Sequence, residues 1–212
     1  MKKALVNLLN KRSLIICKII FYFSFYYSSI LFYLTLDIVQ SPDFEKYYNY
    51  FEFYSGSINK TNLEQGNIYF FLSYFFAFII NQLELSLSLN EILNISIYFV
   101  NSIIFLFGCI GLIKYISIYK YSARNIYIVF SIICFMPSSV VLRASFKPEI
   151  FAFACIGWML YFTNLFINNK NTYDSLRLAL LSSILLTLKI SIALIIGFII
   201  FLELLINHKK IK

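Results

Sequence analysis

Apolar residues in this chain run in long blocks separated by short polar segments, with little alternation. Blocks at about 14–36, 92–113, 125–142 and 149–167 come close to or exceed the roughly 20 residues that a membrane-crossing helix needs. A further block, at about 178–206, would make one tilted helix but carries Lys189 near its centre. Two short helices meeting near Lys189 would also fit. The run "NIYFFLSYFFAFII" (67–80) has only about fourteen apolar residues, a length suited to an interfacial or re-entrant segment as well as to a short span. The pattern predicts an all-α, polytopic integral membrane protein with about five to six membrane segments. It forms one domain over residues 1–212, with an external loop at about 37–91 that carries interfacial helices after the first helix.

Composition supports that class. Charged residues make up 13% of the chain, about half the usual share of a soluble domain, too few to cover a globular surface. The formal net charge of +8 would suggest nucleic acid in a soluble protein. Here the cations sit mainly in short segments between apolar blocks, as the positive-inside rule produces, so no nucleic-acid partner is expected.

Charge also orders the segments. Asp37, Asp43, Glu45, Glu52, Glu64, Glu84 and Glu91 fall in one region that contains only Lys46 and Lys60 as cations. If 67–80 lies along the outer interface, this acidic region is external. Lys114, Lys120 and Arg124 then fall inside with Lys2, Lys3, Lys11 and Arg12. The N-terminus is expected in the cytoplasm of a bacterial inner or plasma membrane, because the first apolar block is too long for a signal peptide and no small-residue cleavage site follows it. The same rule makes "RASFKPE" external and Asn168 to Arg177 a cytoplasmic loop.

Several chemistries are excluded or disfavoured. Cys17, Cys109, Cys134 and Cys155 lie singly in apolar blocks, where a free thiol acts as a small hydrophobe. The one histidine, His208, is in the basic tail, which argues against a histidine metal site or a Ser-His-Asp triad.

Three groups of polar residues remain that solvation alone does not explain. In "QSPDFEKYYNYFEFYSG", Pro42 can open a helix whose aromatic face holds Phe44, Tyr47, Tyr48, Phe51 and Tyr54, with Asp43 and Glu45 at its N-terminus. An N-terminal cap plus an aromatic belt accounts for the same pattern. In "LRASFKPEIFAF", Arg143, Lys147 and Glu149 cluster at a helix connection, where the cations would either grip an anion or snorkel to lipid headgroups. Lys189 in "LLTLKISIALII" is an ionisable residue inside an apolar run, which marks either a functional position or a helix break.

In this order, the three groups resemble the N-terminal half of the C-type polytopic glycosyltransferases, the superfamily of the protein O-mannosyltransferases and the aminoarabinose transferase of lipid A. "PDFEKY" is a loose version of that family's Pro-Asp-Glu-x-x-Tyr motif, with Phe44 separating the two carboxylates. "LEQGNIYFFLSYFFAF" resembles its interfacial helices, "RASFKPEIFAF" its external connection, and "LLTLKISIALII" its broken later run. The resemblance implies transfer of a sugar from a polyprenyl-phosphate donor to an acceptor on the outer face. It implies Asp43 as the catalytic carboxylate, with Glu45 or Asp37 as substitutes. Arg143, Lys147 and Lys189 would meet the phosphate, with Glu149 beside them, and Tyr47, Tyr48 and Tyr50 would line the sugar or isoprenyl path. A divalent metal is compatible with these carboxylates but not required. Members of the family continue with more helices, so the 212 residues would be part of a longer enzyme, one half of a split one, or a shorter relative. Membrane lipid and a second chain supplying further helices are the expected partners. A transporter or flippase component using the same charges, or a non-catalytic membrane assembly subunit, is the expectation from other classes.

Overall fold

The computed structural model describes residues 2–35, 49, 52–54, 56, 67–83, 87–119, 121–169, 171–188 and 190–206. Among them the chain is almost wholly helical and contains no β-strand. The helices are α1 (Lys2–Thr35), α2 (Asn67–Gln82), α3 (Leu89–Ser117), α4 (Ala123–Ile133), α5 (Pro137–Ala144), α6 (Glu149–Asn169), α7 (Thr172–Leu188) and α8 (Ile190–Ile206). The all-helical, membrane-type architecture therefore stands.

Among the described residues, the helices long enough to span number three or four. Lys11–Leu34, Glu91–Ser117 and Glu149–Asn169 are long and apolar enough to cross a membrane, and a fourth span exists if α4 and α5 count together. The expected single helix at 125–142 is bent by 62° at residues 134–136. Pro137 sits in the first turn of α5, where it lacks only an N–H that has no helical partner, so a new helix begins there. The 178–206 block is divided between α7 and α8 on either side of residue 189, each shorter than a bilayer crossing. α6 runs to Asn169 and Thr172 already opens α7, so Asn168, Asp174 and Arg177 of the predicted loop at 168–177 are helical. α2 has 16 residues, or about 24 Å at the helical rise, short of the roughly 30 Å hydrocarbon core.

α3 is the central helix: 56% of its apolar window is buried, against 28% for α1. A capping box starts it. Glu91 N–H donates to Ser88 Oγ at 3.4 Å, and Ser88 N–H donates to Glu91 Oε2 at 2.7 Å. Small residues let α6 approach closely. A Cβ on Gly108 would lie 2.6 Å from the Phe153 ring, and one on Gly111 2.6 Å from the Trp158 ring. A Cβ on Gly157 would lie 2.5 Å from the Leu112 backbone nitrogen. Close backbone approach through glycine is how helices gain dispersion contacts where no hydrophobic force separates lipid from side chain.

These contacts advance in the same direction along both helices, so α3 and α6 are parallel neighbours and α4 with α5 returns the chain between them. α4 packs on α1, with Phe21 against Tyr127 at 5.9 Å and Tyr27 against Phe135 at 6.3 Å. α2 packs on the N-terminal half of α3, where Phe76 meets Phe99 at 4.9 Å and Ser96 Oγ donates to the Ser73 carbonyl.

Candidate functional site

Two polar side chains hold the centre of the bundle together, and neither lies at its surface. Arg143, in the last turn of α5, is only 1% exposed. Its Nη1 donates to Ser28 Oγ at 2.9 Å and to Ser29 Oγ at 3.1 Å, both on α1. Its Nε donates to the Ser139 carbonyl at 3.2 Å, and its Nη2 donates to the Cys134 carbonyl at the end of α4. The guanidinium carbon lies 4.7 Å from the ring centres of both Phe32 and Phe105. Its charge thus meets hydroxyls, the carbonyl end of a helix and two aromatic faces. Among the described residues, no carboxylate forms an ion pair with it.

Asn101, in the middle of α3, is the second. Its Nδ2 donates to the carbonyls of Arg143 at 2.8 Å and Ser145 at 2.9 Å. Its Oδ1 accepts from the Tyr69 hydroxyl of α2 at 2.9 Å. All of the amide's hydrogen-bonding groups are engaged, across three elements. Tyr69 is fully buried, and burial pushes its phenol above the ordinary range, so it stays a donor.

The connection "RASFKPE" is therefore an interior feature and not a solvated turn. Arg143, Ala144, Ser145, Phe146 and Pro148 are buried, and Lys147 and Glu149 are half-buried. α6 begins alongside the middle of α3, level with Asn101, which places this non-helical backbone inside protein. Irregular backbone is tolerated there only with its polar groups satisfied, and Asn101 supplies two of the donors. Ser145 Oγ adds a bond to the Val141 carbonyl at 2.5 Å. Phe146 seals the node, 5.3 Å from Phe70 and 5.8 Å from Tyr69.

Of the residues singled out from sequence, Arg143 lies in this node, and Lys147 and Glu149 follow it, half-buried, in the connection and at the start of α6. Asp37, Asp43, Glu45, Tyr47, Tyr48, Tyr50 and Lys189 lie outside the described residues. Just after the opening motif, residues 52–54 are helical, and Tyr54 packs on α2, 5.8 Å from Phe71 and 5.9 Å from Tyr74. Among the described residues there is no group of three side chains able to hold a metal ion. Asn101, Tyr69, Ser28 and Ser29 were not anticipated. Asn101 alone had a signal, a carboxamide within an apolar block.

A groove of about 570 Å³ runs between α1 and α3. Phe25, Tyr26, Ile30, Tyr33, Ile95, Tyr98, Phe99, Ile103 and Leu106 line it, together with Ser29 and Ser102. Ser29 belongs both to this wall and to the Arg143 hydrogen-bond set, so the groove's wall adjoins the polar node. An open apolar channel of this shape suits a lipid chain better than a water-soluble molecule.

Comparison with known protein families, with curated proteins and with solved structures found no match.

Proposed function

We propose that this protein is a membrane glycosyltransferase that moves a sugar from a polyprenyl-phosphate donor to an acceptor hydroxyl on the outer face. The observation that supports the reading is the apolar α1–α3 groove, whose wall includes Ser29, a partner of the Arg143 node. An isoprenyl tail would occupy the channel, which leaves the phosphate near the "RASFKPE" connection. Lys147 is the cation assigned to it, since Arg143 already uses four of its donor bonds within the bundle. Arg143 acts on this reading as a positioning residue through Ser29.

The reaction requires a carboxylate to accept the acceptor's proton as its oxygen attacks the anomeric carbon. The bond from that carbon to the phosphate oxygen breaks, and the electron pair leaves on the phosphate. Asp43 is the assigned base, with Glu45 and Asp37 as the alternatives, and Lys147 and Lys189 offset the charge that grows on the phosphate. The test is transfer of radiolabelled sugar from a polyprenyl-phosphate donor in membranes carrying the full chain. Asp43→Asn should abolish transfer with unchanged protein abundance, and Lys147→Gln should lower it. Undiminished transfer with Asp43→Asn sinks the assignment of the base, and no transfer by the unmodified chain sinks the activity.

The bend between α4 and α5 favours a second reading as a transporter component, because interrupted helices supply substrate sites in many transporters. Uptake or flipping of a lipid-linked sugar without cleavage of the glycosyl bond would support that reading over transfer.

A further inference from the structure

A second concavity, of about 430 Å³, opens between α3, α6 and α7. Its apolar walls include Phe107, Trp158, Phe162 and Leu180, and Tyr173 and Arg177 stand at its α7 side. Phe107, Trp158 and Phe162 form a continuous stack, with ring centres 5.0 Å and 5.6 Å apart. Trp158 is fixed in it by donating from Nε1 to the Phe107 carbonyl at 2.9 Å.

Two cations sit on this stack. Lys114 Nζ lies 4.7 Å from the Trp158 ring centre, and the Arg177 guanidinium carbon lies 5.2 Å from that of Phe162. Arg177 is also paired with the buried Asp174 at 2.9 Å, and Glu203 of α8 lies near Tyr115. The end of the bundle nevertheless carries Lys11, Arg12, Lys114, Arg124 and Arg177 against those two carboxylates among its described residues. The α1–α3 groove is lined by no charged side chain, so the two concavities differ in the ligand they suit.

We propose that the α3–α6–α7 concavity is a binding site for an anionic phospholipid, with an acyl chain against the Phe107–Trp158–Phe162 stack and the headgroup phosphate drawn by Lys114 and Arg177. Apolar walls hold the chain of any phospholipid; the cations make the site select a negative head. The site is independent of the glycosyltransferase reading and rests on the chain lying in a bilayer.

Trp158 is the one tryptophan of the sequence, so its fluorescence reports this site alone. The full chain would be reconstituted in phosphatidylcholine vesicles doped with lipid brominated on its acyl chains, which quenches tryptophan on contact. Brominated phosphatidylglycerol should associate about fivefold more strongly than brominated phosphatidylcholine, the selectivity that one cation near the surface supplies. Lys114→Gln and Arg177→Gln should each reduce that preference, and high salt should reduce it in the unmodified chain, where folding is not in question. Equal quenching by both lipids, or a preference unmoved by salt and by both substitutions, overturns the proposal. Absence of quenching by both lipids does so as well.

Discussion

Arg143 of α5 donates from Nη1 to Ser28 Oγ of α1 at 2.9 Å, joining residues 115 positions apart in the chain. The same guanidinium binds the Cys134 carbonyl that closes α4. One side chain thus ties the first helix to both halves of the broken pair. Replacing Arg143 with Met keeps the volume but leaves buried acceptors unpartnered, at roughly 1–3 kcal/mol for each one that water cannot reach. Arg143→Met should lower the thermal unfolding midpoint in detergent by several degrees. Arg143→Lys should recover less than half of the loss, because an ammonium lacks the planar fork. A midpoint unchanged by Arg143→Met would show that these bonds contribute nothing.

Asn101 and Tyr69 should respond unequally, though they share a hydrogen bond. Tyr69→Phe removes one donor and leaves the bonds from Asn101 to the Arg143 and Ser145 carbonyls in place, a loss of about 1 kcal/mol. Asn101→Leu strips both carbonyls and the phenol at once and should cost about 2–4 kcal/mol. In a double-mutant cycle, Tyr69→Phe should cost little in the Asn101→Leu background. Additive effects would mean that the phenol has another partner of equal worth.

Glycine substitutions provide a prediction with opposite signs at two positions. A Cβ at Gly157 would meet the Leu112 backbone nitrogen at 2.5 Å, and backbone cannot step aside, so Gly157→Ala must separate α3 from α6. We expect a loss of roughly 1–3 kcal/mol. Gly197 of α8 has nothing within 4 Å of the same position. Gly197→Ala should be neutral or stabilising by up to about 1 kcal/mol through helix propensity. Thermal midpoints of the two variants, compared in one detergent, test the pair.

How much of this was legible in the sequence depends on which physics each feature obeys. α1, α3 and α6 follow from the length of their apolar blocks, and α2 from a block too short to span. Pro137 sits inside the block read as one helix, and the bend there needed more weight than hydropathy gives it. Arg143 was recognised as costly in its setting, but an outward-facing cation and a buried one look alike in sequence. The difference lies in Ser28 and Ser29 on a distant helix and in the parallel α3–α6 packing, which no local pattern encodes. Asn101 is a single amide in an apolar run and has no periodicity to mark it; its role exists only once the carbonyls of Arg143 and Ser145 are brought to it.

The bend between α4 and α5 can be assigned to one of two causes by measurement. Pro137 favours the break, because it has no N–H for the Ile133 carbonyl that a continuous helix would bond there, but it does not itself hold the two helices at their angle. The bonds that span the break come from elsewhere: Ser139 Oγ donates to the Ile133 carbonyl at 2.5 Å, and Arg143 Nη2 donates to that of Cys134. Both fold α5 back against the end of α4. Spin labels at the exposed positions Ile128 and Val141 flank the 62° bend, and a straighter pair would hold them further apart. Pro137→Ala should leave the distance between labels unchanged, and Arg143→Met combined with Ser139→Ala should lengthen it. Lengthening with Pro137→Ala alone would instead place the cause of the bend in the proline ring.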